Sequence, residues 1–521
     1  VKYMDSKKYK FEGSEMNQKL LMGHPSGLFV LFFTEMWERF SYYGMRALLV
    51  LFLTSAILDG GWGWSREEAL GLYGTYTMLV YFSPILGGLI ADKFIGYRRA
   101  VTIGALIMTL GHASMAMDTP WGLYIGIACL VAGNGLFKPN ITSIINGIYI
   151  NAQDKKDGAF TIFYMGVNAG AFLGIMLCGY IGETVGWHWG FGLAGIFMFL
   201  GMMQFWLAQG IFGNVGLAPT KAIGTSSESD SNNDSVSTKV QSDRYTVVGI
   251  LAIFTVFFWA AFEQAGGSMT IFAADYTNRV LEGDSATVFR IANTFLTIIP
   301  LIIITYVLLK LFKITFKKFA LSNMFLGISF IIIWIIVLWM LYTQFSDEST
   351  EIPASWFGIL NSFYIIAFAP LFSKIWESKY NPPATVKFGV GLILLGLGFG
   401  ILAYGSASIL PGAQTASVSI IWLILAYLLH TLGELSLSPV GLSYVSKLVP
   451  AKKIGMMFGL WYIAIGLGNK AAGSMGGMID SITAEYSMST FFLIFTIVPV
   501  LAGLVAISLT PIVKKLMHGV R

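Results

Sequence analysis

A run of residues that is otherwise apolar enough for a lipid bilayer carries four charges. Between Pro25 and Ile57 stand Glu35, Glu38, Arg39 and Arg46. At about 100° per residue these four, with Tyr42 and Tyr43, share one helical face roughly 140° wide. Leu, Phe, Met and Val fill the opposite face. Each ionisable group at the centre of a membrane helix costs roughly 2.5–3.5 kcal/mol, so four unpaired groups would cost on the order of 10 kcal/mol. A chain bears that only where the stripe lines a wet cavity or meets opposite charges on other helices. A purely structural salt-bridge network is the simpler alternative. Two carboxylates, two guanidiniums and two phenols on one stripe exceed what packing needs.

The rest of the chain supports a membrane setting. Of 521 residues 55% are hydrophobic and only 12% charged, against about 25% charged in a soluble domain. The mean hydropathy is +0.70. The composition predicts an all-α polytopic membrane protein, and the 58 glycines fit close helix packing. Cys129 and Cys178 lie in apolar segments and read as buried free thiols. The net charge of +5 reflects basic loops rather than a nucleic-acid surface. The five histidines are scattered, so no metal site, cofactor or enzyme chemistry is expected.

Fourteen segments are long and apolar enough to span, near residues 27–57, 68–91, 99–117, 121–147, 158–183, 188–212, 245–272, 287–312, 319–344, 355–376, 386–407, 416–446, 455–480 and 489–512. Alternate loops hold Lys93, Arg98 and Arg99; Lys155 and Lys156; Lys313, Lys317 and Lys318; Lys374 and Lys379; and Lys452 and Lys453. The other set holds Asp118, Glu183, Asp347, Glu348, Glu351 and Glu485. By the positive-inside rule the basic loops and both termini are cytoplasmic, in the plasma membrane. Residues 1–24 lack an apolar h-region, so the first helix is expected to serve as targeting signal.

The expected organisation is a cytoplasmic segment 1–26, an amino-terminal six-helix bundle 27–212, a flexible linker 213–244, a carboxy-terminal bundle 245–514 and a tail 515–521. The linker contains the run SSESDSNNDS and is too polar to fold alone. The second bundle includes an extra hairpin, about residues 287–344, whose Ile, Leu, Phe and Trp suit a lipid-facing position.

Further polar groups lie at membrane depth. Lys138 stands in GNGLFKPN, Glu263 in FWAAFEQAGG and Glu434 in HTLGELSLSP, while Asn168 and Asn361 add amides. Snorkelling is the structural alternative for Lys138, and interhelical hydrogen bonding for the two amides. His112 and His430 read as packed bundle histidines, and Trp259 and Trp461 taken alone as packing residues. Cations gather in the amino-terminal half, with Glu263 and Glu434 in the other. That division suits a zwitterion with separated charges, such as a short peptide. Carboxylates beside Arg and Lys can exchange a proton for an ion pair, which is a route to proton coupling.

TEMWERFSYYGMRALL is similar to the ExxERFxYYG signature of the proton-dependent oligopeptide transporters, within the major facilitator superfamily. GGLIADKFIGYRRA, GNGLFKPN, FTIFYMGVNAG and GELSLSPVGLS resemble further motifs in family order. The resemblance implies the major facilitator fold and a symporter importing di- and tripeptides with protons, working as a monomer in the bilayer. It implies proton coupling at Glu35, Glu38, Arg39, Lys138 and Glu263. Arg46 would face the peptide carboxylate and Glu434 its amino terminus, with Asn168 and Asn361 on its backbone. Tyr42, Tyr43, Tyr81, Trp259, Ser438 and Trp461 resemble pocket positions. Arg66 and Asp275, opposite in sign at the outer ends of their spans, are expected to gate. The second span has no histidine, so coupling is expected to rest on carboxylates. The hairpin follows the Glu263 span, whereas bacterial relatives usually carry it between the bundles. Another charged solute, such as nitrate or a drug, and a nutrient-sensing role remain the alternatives.

Overall fold

The computed structural model describes residues 10–218, 238–378, 381–450 and 453–520. The SSESDSNNDS run, Lys379, Lys452 and Arg521 lie outside them. The first six long helices are α1 (Ser26–Thr54), α2 (Arg66–Ile90), α3 (Tyr97–Met115), α4 (Pro120–Ile148), α5 (Lys156–Thr184) and α6 (Trp187–Ala208). There follow α7 (Thr238–Phe262), a short α8 (Ser268–Ile271), α9 (Gly283–Thr315), α10 (Ala320–Ser346) and α11 (Ile359–Glu377). The chain ends with α12 (Ala384–Gly405), α13 (Ile421–Leu448), α14 (Ile454–Gly477), α15 (Ile479–Glu485), α16 (Met488–Ser508) and α17 (Thr510–Leu516). Among the described residues, 11 helices pass a test of length and apolarity for crossing a membrane. The α1, α3 and α14 helices are not among them, although they run 29, 19 and 24 residues. Each carries ionisable groups: the α1 stripe, Arg98 and Arg99 in α3, and Lys470 in α14.

The helices form two compact units. The first holds the described residues of Val1–Leu48, Ser83–Lys221 and Val280–Ile352; the second holds those of Leu49–Phe82, Ala222–Arg279 and Pro353–Arg521. Helices α1 and α2 therefore divide between them. The hairpin α9–α10 departs from the sequence expectation, which grouped it with the carboxy-terminal bundle: it belongs to the first unit. Phe330 packs edge-on against Phe33 and Trp37 at 5.7 and 5.6 Å between ring centres. Ser322 Oγ donates to the Gln204 carbonyl of α6 at 2.7 Å, and Trp339 meets Tyr180 of α5. Apolar composition marks the hairpin as lipid-facing but does not encode which bundle receives its other face. The hairpin itself is pinned by polar rungs. Arg290 Nε donates to Thr350 Oγ1 at 2.7 Å, and Asn293 Nδ2 to Gln344 Oε1 at 2.9 Å. At its mouth the two-residue strands β1 (Val280–Leu281) and β2 (Thr350–Glu351) pair antiparallel.

In the first unit, α5 presents Gly166, Gly170 and Gly174 at intervals of four, a small-residue stripe of the kind that lets membrane helices touch. A Cβ on Gly170 would lie 2.9 Å from Arg39 Cβ, and one on Gly174 2.8 Å from Phe40 Cα. The stripe thus holds the charged helix α1 against α5. Gly170→Leu is expected to destabilise the folded protein by about 1–3 kcal/mol through overpacking. A lowered midpoint of thermal unfolding in detergent checks this; an unchanged midpoint would contradict the close approach.

Candidate functional site

The first unit gathers the α1 charges into a buried cluster. Glu38 is fully buried, and Glu35 and Arg39 nearly so. Arg39 Nε lies 3.1 Å from Glu35 Oε1, the favourable i, i+4 order. The same guanidinium forks onto Glu38, with Nη2 donating to Oε1 at 2.8 Å and Nε to Oε2. Asn134 of α4 adds a donor to Glu38 Oε1 at 3.2 Å. Lys138, one helical turn after Asn134, is within electrostatic reach of Glu35, Glu38, Arg39 and Arg46. Burying a carboxylate is costly unless it is paired and hydrogen-bonded, and Glu38 meets both conditions. Arg39 lies over the Tyr42 ring at 5.2 Å and Arg46 over Tyr43 at 5.8 Å. Asn168 is buried, and its Nδ2 donates to the Tyr164 carbonyl of its own helix at 2.9 Å.

The second unit carries three polar groupings. Asn361 Nδ2 donates to Glu434 Oε2 at 2.9 Å and to Thr431 Oγ1 at 3.2 Å, joining α11 to α13. Glu263 sits where α7 tightens into a 3-10 turn, Glu263–Gly266, and is almost fully buried. It accepts from Tyr73 OH of α2 at 2.7 Å. Arg66, at the start of α2, bonds Asp275 Oδ2 and Asp480 Oδ1, each at 2.6 Å, and Tyr276 OH at 3.0 Å. The expected Arg66–Asp275 pair is therefore present, with a second carboxylate. Tyr81 neighbours Trp259 at 6.4 Å and Tyr462 at 6.3 Å. Trp461 is buried, edge-on to Phe388 and against Gly441. Ser438 Oγ is buried with no hydrogen-bond partner among the described residues.

Several participants escaped the sequence reading. Asn134 lies one turn before Lys138 and was visible as a second polar residue of GNGLFKPN. Tyr73 lies two turns after Arg66 on α2 but resembles any membrane tyrosine. Lys470 is a cation in the middle of an apolar segment, GLGNKAAG, and the test that found Lys138 finds it too. Among the described residues no group of three or more His, Cys, Asp or Glu is placed to hold a metal ion.

Buried, mutually paired charges on long apolar helices define a multi-pass membrane carrier more readily than a structural bundle. The model of the POT family matches residues 98–229 and 328–494. A peptide transporter of Yersinia enterocolitica is 32% identical over 524 residues, covering 96% of this chain and 97% of that protein. A di-/tripeptide transporter of Lactococcus lactis is 28% identical and covers 97% of this chain and 99% of its own. A crystal structure of peptide transporter POT in complex with sulfate, 28% identical, matches with a TM-score of 0.72 over 96% of this chain and 97% of that one. The chain belongs to the POT family, and its helices adopt the major facilitator fold of those neighbours.

Proposed function

We propose that the chain is a proton-coupled symporter that imports di- and tripeptides across the cytoplasmic membrane by alternating access, as a monomer with both termini cytoplasmic. The observation that carries this reading is the buried Glu35–Glu38–Arg39 cluster within reach of Lys138. A proton arriving on Glu35 or Glu38 neutralises a carboxylate and loosens its hold on Arg39. The cation then turns to another partner, and the freed helix face shifts. Glu263 is a second carboxylate of this kind, held by the Tyr73 hydroxyl. The peptide carboxylate goes to Arg46 or Lys138, and its ammonium to Glu434, to which Asn361 donates. Asn168 and Asn361 serve the peptide backbone, and Tyr42, Tyr43, Tyr81, Trp259, Ser438 and Trp461 shape the pocket. Arg66 and Asp275 gate. Relatives named as peptide and di-/tripeptide transporters support the substrate class. The Glu434 carboxylate speaks against nitrate, which it would repel.

Competition between labelled dialanine and its blocked forms tests the substrate assignment. Dialanine is expected to bind at least tenfold more tightly than N-acetyl-dialanine or dialanine amide, each of which loses one charge-assisted contact worth about 1.5–3 kcal/mol. Equal binding of all three would refute recognition of both ends. For the gate, Arg66→Ala is expected to slow uptake several-fold, and a charge exchange, Arg66→Asp with Asp275→Arg, to recover part of it. Recovery by the exchange is the decisive reading, and its absence would remove the pair from the gate.

A further inference from the structure

Lys470 lies in α14 seven residues before the helix ends at Gly477, about 10 Å along the axis. A lysine merely reaching for the interface would extend toward water. Lys470 instead turns to α2: Nζ donates to Thr75 Oγ1 at 2.7 Å and to the Gly71 carbonyl at 3.4 Å. Gly71 and Thr75 stand one turn apart, so the ammonium sits astride a single turn of α2. Here the helix backbones nearly touch. A Cβ on Gly74 would lie 2.8 Å from Gly473 Cα. Among the described residues no carboxylate lies within ion-pair distance of Lys470.

Two further polar ties of the same stretch of α2 differ in kind. Arg66 binds Asp275 and Asp480, and Tyr73 binds Glu263. Both include a carboxylate as acceptor. The partners of Lys470 are a hydroxyl and a peptide carbonyl, which stay neutral throughout the working pH range. Separating α2 from α14 would leave an ammonium in a membrane segment without its acceptors, at a cost that only entering water could offset.

We infer that Lys470 is a positioning residue that latches the first half of α2 to α14 and so sets the balance between closed and released arrangements of that half-helix. Release of α2 then requires Lys470 to exchange these two acceptors for water. The inference rests on the alternating-access reading above.

The test uses spin labels at Glu67→Cys and Ser481→Cys, both exposed positions of the second unit. Cys129 and Cys178 are replaced by alanine, and the label-to-label distance distribution is measured in liposomes without peptide or gradient. The unaltered latch gives one dominant short distance. Lys470→Met, which keeps length and apolar stem, is expected to raise the ratio of long to short distances on the order of tenfold, as for loss of one charged hydrogen bond. Lys470→Arg is expected to keep the short distance, and Thr75→Val to give a smaller shift in the direction of Lys470→Met. A Lys470→Met distribution identical to the parent overturns the inference. If Lys470→Met does not fold, Thr75→Val decides alone: a shift supports the latch and none overturns it. No peptide enters this measurement, so a wrong substrate would show separately, as absent dialanine binding with the distance shift intact.

Discussion

Glu38→Gln is expected to abolish gradient-driven dialanine uptake, by a factor of about 100 or more, while leaving peptide exchange at zero gradient largely in place. Glutamine fills the same volume and still accepts from Asn134, whose amide lies 3.2 Å away. It cannot carry the charge that receives the Arg39 fork. Removing one partner of a buried ion pair typically costs about 3–5 kcal/mol because the other charge is left uncompensated. In this cluster that charge is shared with Glu35, so the protein is expected to fold, with Arg39 resting on Glu35 alone. What disappears is the site where a proton and a guanidinium compete. Paired uptake and counterflow assays in liposomes separate the two modes. Equal loss of both would point to a purely structural role for Glu38, and retention of both would remove it from coupling.

Glu434→Gln is expected to weaken dialanine binding on the order of 100-fold, the second largest effect. Burial of a charged hydrogen-bonded pair at a binding site makes truncation of one partner cost about 2–5 kcal/mol. Asn361 already donates to one oxygen of this carboxylate, which fixes its direction. The same substitution should change binding of N-acetyl-dialanine little, because that ligand brings no ammonium. The comparison is a cycle between residue and ligand. A full loss for both ligands would mean that Glu434 holds the pocket rather than the amino terminus. A matched experiment with Arg46→Lys and dialanine amide probes the other end of the peptide.

Much of this arrangement was legible in the sequence because a helix converts spacing into direction. Glu35, Glu38 and Arg39 repeat at three and four, so their shared face followed from periodicity, whereas the fork between the sequence neighbours Glu38 and Arg39 did not. Arg66 and Asp275 were joined by sign and sidedness alone, and they meet at 2.6 Å. The docking of α9–α10 was not legible, since an apolar face packs on any apolar neighbour and carries no address. Asn168 shows another limit: an amide in a helix can satisfy its donor on the carbonyl one turn back, and no pattern distinguishes that from a ligand contact. Trp461 and Tyr462 differ by one position, about 100° of helix rotation. Tyr462 stands beside Tyr81, a contact that no motif marked. Lys470 belongs to none of the family motifs, and only its charge within an apolar segment marks it.

Proton-driven peptide movement through the α1 cluster and Lys138, as proposed, is tested by accumulation of labelled dialanine in liposomes under an inward proton gradient, with Lys138→Ala beside the parent protein. Concentrative uptake is expected for the parent, and exchange without concentration for the variant. A folded parent that accumulates no dialanine under the gradient, or a Lys138→Ala variant that concentrates it as well as the parent, would overturn proton coupling through this cluster.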